Sequence, residues 1–200
     1  MIPTDYDKPA FLIGERVYLR PLEKEDLVHV RRWSNDPDIR RLTGEVMPMS
    51  QARAEEWYDR VRSDPDRVWF IVALRADNRP IGEAGLLRIF YPWRTTDLSL
   101  VLGEKDAWGK GYGTEAILLL LDYAFGYLGL HRVSVGVVGF NEPALRFYEQ
   151  IGFKREGVSR DGYYYDHRYY DFVMMSILEE EFCELHGKGA DKPRIMTERK

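Results

Sequence analysis

Apolar and polar positions alternate with period two at Arg16-Val17-Tyr18-Leu19-Arg20 and stop at Pro21, which predicts a first strand. Leu27, Val30 and Trp33 then recur at helical spacing until Asn35-Asp36-Pro37 ends the pattern, leaving Pro37 to Gln51 as a loop. A second helix is predicted from Ser50, an N-cap residue, through Ala54, Trp57, Tyr58 and Val61 to Asp64-Pro65. The run Trp69 to Leu74 is continuously apolar, as a strand covered on both faces must be. Ala76-Asp77-Asn78 then turns the chain into a hairpin partner from Ile81 to Ile89, and Asp97 to Leu102 is the next central strand.

In the second half the strongest helix, Thr114 to Leu128, carries Ile117, Leu120, Leu121, Ala124, Phe125 and Leu128 on the helical repeat. Arg132 to Val138 is β-branched and alternating, and Ala144 to Gln150 is a short helix stopped by Gly152. Tyr169 to Leu178 alternates again after a tyrosine-rich loop from Asp161 to Asp166. Strands that first pair locally and then alternate with helices predict an α+β (mixed α/β) fold. Its largely antiparallel twisted sheet of about six to seven strands is flanked by about four helices, with a crossover through the long one.

At 200 residues the chain suits one domain. The expected boundaries are an N-terminal extension over 1–11, the domain over 12–183 and a polar, flexible tail over 184–200. With 44% hydrophobic and 14% aromatic residues there is ample surface to bury, which excludes global disorder. Cys183 is alone, so no internal disulfide forms. A net charge of -4 leaves no basic excess for nucleic acid. The longest apolar run, Ala116 to Leu121, falls far short of the roughly 20 residues that span a bilayer. Met1 to Asp7 has neither the basic opening nor the apolar stretch of a signal peptide, so a cytoplasmic protein without membrane contact is expected. His29, His131, His167 and His186 are scattered, none at metal-ligand spacing, and no metal is expected. The absence of a Gly-x-Ser-x-Gly elbow removes the most recognisable hydrolase reading.

Chemistry is concentrated in two places. Trp108-Gly109-Lys110-Gly111-Tyr112-Gly113-Thr114 joins a strand to the best helix, where backbone N-H groups and the positive helix end converge on an anion. Alone, it reads equally well as a tight turn. The spacing fits neither a P-loop, since Lys110 lies between Gly109 and Gly111, nor a dinucleotide fingerprint, whose third glycine would fall on Thr114. One strand later, Asn141-Glu142-Pro143-Ala144-Leu145-Arg146-Phe147-Tyr148 starts a helix whose aromatic residues are core or functional.

Taken together, Leu100 to Ala116 and Asn141 to Phe153 resemble the GNAT superfamily of N-acetyltransferases. Gly152-Phe153-Lys154-Arg155-Glu156-Gly157 and Met174-Met175-Ser176 are similar to its ribosomal-protein N-terminal and spermidine acetyltransferase branch, and the likeness runs from about Leu12 to Leu178. The resemblance implies a GNAT-like fold and direct transfer of acetyl from acetyl-CoA to a primary amine, either a small amine such as a polyamine or aminoglycoside, or a protein N-terminus. It implies that the diphosphate is held by the amides of Gly109, Lys110, Gly111, Tyr112, Gly113 and Thr114, the pantetheine by Val101 and Leu102, and the cofactor arm by Asn141. Tyr148 matches the family's acid. The superfamily commonly has Gln or Arg where Trp108 stands, so the backbone donors must carry the diphosphate here.

The family does not fix the base; Glu83 is the first candidate, with Asp97 and Ser99 behind it. Asp161 to His167 either lines the acceptor cleft or forms an exposed hairpin or a homodimer contact. A different class of function stays open at this point, a non-catalytic acyl-CoA sensor or interaction module on the same scaffold.

Overall fold

A computed structural model describes residues 8–187. Eight strands form one sheet in the order β1-β2-β3-β4-β5-β6-β8-β7. They are β1 (Leu12–Ile13), β2 (Val17–Pro21), β3 (Val68–Leu74), β4 (Pro80–Phe90), β5 (Thr95–Leu102), β6 (Arg132–Val138), β7 (Lys154–Tyr165) and β8 (Arg168–Leu178). All neighbours are antiparallel except β5 and β6. A parallel pair needs a crossover, supplied by the helix α4 (Tyr112–Gly126).

α4 is apolar on most of its surface because it is covered on most of its surface. Ile117, Leu120, Leu121, Ala124 and Phe125 are buried in the main core with Leu86, Leu98, Val133 and Val135 from the sheet. The opposite face is covered by α1 (Leu27–Asn35), α2 (Pro37–Thr43) and α3 (Gln51–Ser63), with Val30, Trp33, Ile39 and Ile71 forming a second, smaller core. α5 (Glu142–Ile151) and α6 (Glu179–His186) complete the α-helices among the described residues.

Four expectations are corrected. The sheet has eight strands rather than six or seven, because short β1 pairs with β2 and because β7 is a full strand. The segment Asp161 to Asp166, expected as a loop, lies mostly in β7, where pairing of Tyr163 to Tyr165 with β8 overrides the local turn residues. Asp161 has φ 54 and sits at the register shift between Ser159 and Tyr163. Pro37 does not start a loop: Asp36 accepts from the N-H groups of Asp38 and Ile39, and Pro37 opens α2 at the position proline favours.

The expected tail from Glu184 begins as helix instead. α6 buries Phe182, and the His186 ring lies 2.8 Å from the Ile151 carbonyl oxygen, so the fold extends to His186. Residues 188–200, and 1–7 of the expected extension, lie outside the described residues. Within the rest of that extension, Phe11 stacks on Phe70 at 5.5 Å.

Two anchors fix α1 against the sheet. Arg20 at the end of β2 donates from Nη1 and Nη2 to the two Asp26 carboxylate oxygens, both at 2.7 Å, and each residue is only 3% exposed. Burial pushes the Asp26 carboxyl up, but the Arg20 fork and the Glu23 amide outweigh it and hold the group below the usual range. At the other end Trp33 lies over Gly103, where any Cβ would stand 2.1 Å from the indole, and its Nε1 donates to Glu104 at 2.8 Å. Removing one partner of a buried ion pair strands the other charge. Asp26→Asn is therefore expected to destabilise the protein by about 3 kcal/mol in urea unfolding at neutral pH.

Candidate active site

The glycine-rich bend is built by left-handed backbone. Gly109 and Gly111 have φ of +70 and +80, and Gly111 is the N-cap of α4 with no side chain capping the helix. Arg16, ahead of β2, donates to the carbonyl oxygens of Lys110 at 2.9 Å and Gly111 at 3.3 Å. Its Nε bonds Glu115 Oε2 at 3.0 Å, while Glu115 Oε1 accepts from the backbone N-H groups of Arg16 and Val17. The guanidinium also lies over the Tyr112 ring, 5.2 Å from its centroid.

With the carbonyls tied back, the first intrahelical bond runs from Glu115 N to Gly111 O, leaving the N-H groups of Tyr112, Gly113 and Thr114 without an intrahelical acceptor. That is a fitting cradle for a diphosphate. Arg16 and Glu115 were not singled out in the sequence, and 99 residues of separation leave no local signal for their pairing. The Lys110 side chain makes no hydrogen bond among the described residues, and Arg146 pairs on the surface with Glu142 at 3.6 Å.

Beside the bend the sheet opens. β5 pairs with β6 only where Thr95, Thr96 and Asp97 meet Arg132, Val133 and Ser134. Beyond that β6 stays with β8 and β5 stays with β4, so Leu98 to Leu102 has a free edge of backbone donors and acceptors. Trp108 turns away from the bend and donates from Nε1 to the Leu102 carbonyl oxygen at 2.8 Å. A Cβ on Gly113 would touch Leu100, Leu102 and Phe147, so the helix start, β5 and α5 meet at this opening.

α5 brings Tyr148 to the same side. Its ring packs at 4.9 Å from Phe147 and 5.3 Å from Phe153 and is 6% exposed, and burial pushes the phenol well above its usual range. Its hydroxyl makes no hydrogen bond among the described residues. Asn141 caps α5, accepting from Ala144 N at 3.3 Å through Oδ1.

Glu83 lies on the other face of the sheet, on β4 between Ile71 and Val101 in register. It is 8% exposed, and Trp69 Nε1 donates to its Oε2 at 2.9 Å. Burial raises the carboxyl to about 7, against the smaller opposing pull of the Trp69 bond. Glu83, Trp69 and Ser99 line a cavity of about 290 Å³ with Arg53, Trp57 and Arg60 of α3. Asp97, the other carboxylate considered, is engaged by Arg88 at 2.8 Å. Tyr163 donates its hydroxyl to the Arg41 carbonyl oxygen at 2.9 Å, holding the β7–β8 hairpin against α2.

A family model described as the acetyltransferase (GNAT) domain matches residues 16–154. The chain belongs to the GNAT acetyltransferase family. This GNAT protein is similar to the spermidine N(1)-acetyltransferase of Escherichia coli, 28% identical over 170 residues that make up 85% of this chain and 90% of that protein. It is also similar to the solved spermidine N-acetyltransferase of Vibrio cholerae in complex with CoA and spermine, with a TM-score of 0.80 and 29% identity over 84% of this chain and 99% of that one. A dodecameric structure of the Vibrio cholerae enzyme gives a TM-score of 0.75 at 27% identity over 86% of this chain and 99% of that one. The GNAT protein described here is an acetyl-CoA-dependent N-acetyltransferase, and among its described residues no helix is long and apolar enough to cross a membrane.

In this acetyltransferase the buried Glu83 gives stability a definite pH dependence. The folded state keeps the Glu83 proton up to about pH 7, whereas the unfolded chain releases it near the ordinary 4.5. The group's contribution is therefore complete below about 4.5 and is lost as pH rises to about 7. Glu83→Gln keeps an oxygen for Trp69 and removes the titration. Its stability relative to the parent should rise between pH 4 and pH 8 by about 3 kcal/mol, read by denaturant unfolding at both pH values.

Proposed function

We propose that the enzyme acetylates a small primary amine, with acetyl-CoA laid along the open edge of β5 and the acceptor entering from the Glu83 cavity. The observation that carries this is the adjacency of the two half-sites: Glu83 is paired in register with Val101, on the strand whose other edge is free. The diphosphate binds the amides from Gly109 to Thr114, the pantetheine lies along Val101 and Leu102, and Asn141 contributes to holding the cofactor arm. The cavity of about 290 Å³ supports a small acceptor over a polypeptide. The relatives named for spermidine acetylation support an amine of that size.

An ammonium is no nucleophile, so it must first lose a proton. A carboxyl poised at about 7 is a suitable base near neutral pH. The neutral amine then attacks the thioester carbonyl, and the oxyanion forms beside the free β5 amides, which need no rearrangement to donate to it. Collapse breaks the C–S bond, the acetamide loses its remaining extra proton, and the thiolate is protonated to CoA. Tyr148, kept protonated by burial, is the donor at the departing sulfur. Exposed Tyr164 and Tyr169 on the β7–β8 hairpin support association of copies of the chain.

The direct test is CoA-thiol release from saturating acetyl-CoA over polyamines, aminoglycosides, amino acids and short peptides, with a no-amine control. Release with small amines and none with peptides is expected; peptide-only release would overturn the small-acceptor reading. Tyr148→Phe should lower kcat about a hundredfold and leave acetyl-CoA affinity unchanged, since only a proton is removed. Gly111→Asp sets a carboxylate at a φ of +80 against the diphosphate amides. It should weaken acetyl-CoA binding about a hundredfold in titration calorimetry.

A further inference from the structure

The Glu83 cavity is lined by two carboxylates, Glu45 and Glu83, and by two guanidiniums, Arg53 and Arg60. Arg53, Trp57 and Arg60 succeed one another at intervals of four and three residues, so α3 turns one continuous ridge toward the sheet. Neighbouring cations are engaged: Arg32 with Glu104, Lys105 with Asp36 and Asp38, Arg62 with Asp59. The two that line the cavity are not comparably satisfied. Arg53 reaches Glu45 only at 4.0 Å, and the exposed Arg60 side chain has no ion pair or hydrogen bond among the described residues.

With these guanidiniums and Glu83, the cavity is lined by the carboxylate of Glu45, the hydroxyls of Ser34 and Ser99, and two indoles. Trp57 and Trp69 meet edge to face at 5.9 Å, and Met49 lines the same space. A second ammonium beside Arg53 or Arg60 would make a like-charge contact, and Glu45, already 4.0 Å from Arg53, is the lining carboxylate available to offset it. A carboxylate or phosphate would instead meet a planar fork able to donate two bonds.

We infer that the acceptor is a primary amine carrying an anion, a carboxylate or a phosphate, at the far end of a short apolar body, with the amine at Glu83 and the anion at Arg53 and Arg60. This rests on the reading of the cavity as the acceptor site. It goes further by assigning α3 the choice among amines.

The test compares three acceptors of one chain length with the full-length enzyme and saturating acetyl-CoA: an α,ω-diamine, the ω-amino acid and the ω-aminoalkyl phosphate. At least one anion-bearing acceptor is expected to exceed the diamine in kcat/KM by about tenfold or more, and the better of the two identifies the anion. Arg60→Glu should cost that acceptor about tenfold through KM, with acetyl-CoA affinity unchanged, and should favour the diamine. A diamine preferred by the parent enzyme, or a preference indifferent to Arg60→Glu, would overturn this inference and leave the acetyl transfer intact. Turnover of none of the three, with acetyl-CoA binding confirmed, would overturn the acceptor reading of the cavity and this inference with it.

Discussion

The molecule depends on a strand pairing that is allowed to fail. β5 and β6 are parallel neighbours for three residues each and then separate, while each keeps its antiparallel partner on the other side. Each half of the sheet is thus internally hydrogen-bonded, and the unpaired groups lie on the facing edges of β5 and β6 beyond Asp97 and Ser134. Buried backbone groups without partners are costly, so such an edge persists where something else meets it. Trp108 takes the Leu102 carbonyl, and the remaining groups face the space where α4 and α5 converge.

Everything on the α4 side is braced around that opening. The Arg16–Glu115 pair spans the sheet edge and the first turn of α4, and ties the bend's carbonyls so that its amides face outward. On the opposite face the Arg20–Asp26 pair and the Trp33–Gly103 contact hold α1, and with it the three-helix layer that walls the Glu83 cavity. The bend and the cavity are built on different cores and are joined through β4, β5 and the contacts of Gly103 to Lys105 with α1 and α2.

Charge divides the two half-sites as well. At the bend the outward amides of the first turn of α4 suit an anion, while the Arg16 charge is answered by Glu115. In the cavity an acid raised by burial shares the lining with Glu45, two guanidiniums and two indoles. A net charge of -4 gave no hint of this, since it averages over a surface where most charges are paired.

Periodicity in the sequence sufficed for the strands and helices with one strong repeat: β2 to β6, α1, α3, α4 and α5 stand close to where alternation or helical spacing put them. The glycine bend and the Tyr148 helix were legible because φ > 0 and helix capping are demands of local sequence, and their order along the chain carried the family resemblance. What local sequence lacked was any record of contacts made across the fold. Asp161 to Asp166 reads as a loop because the pairing partner supplies what these residues do not, and α2 is hidden because Asp36 both ends one helix and caps the next. Glu83 was a plausible base among several carboxylates. Its burial, its Trp69 bond and the arginines facing it come from residues on three elements, which only the folded chain brings to one cavity.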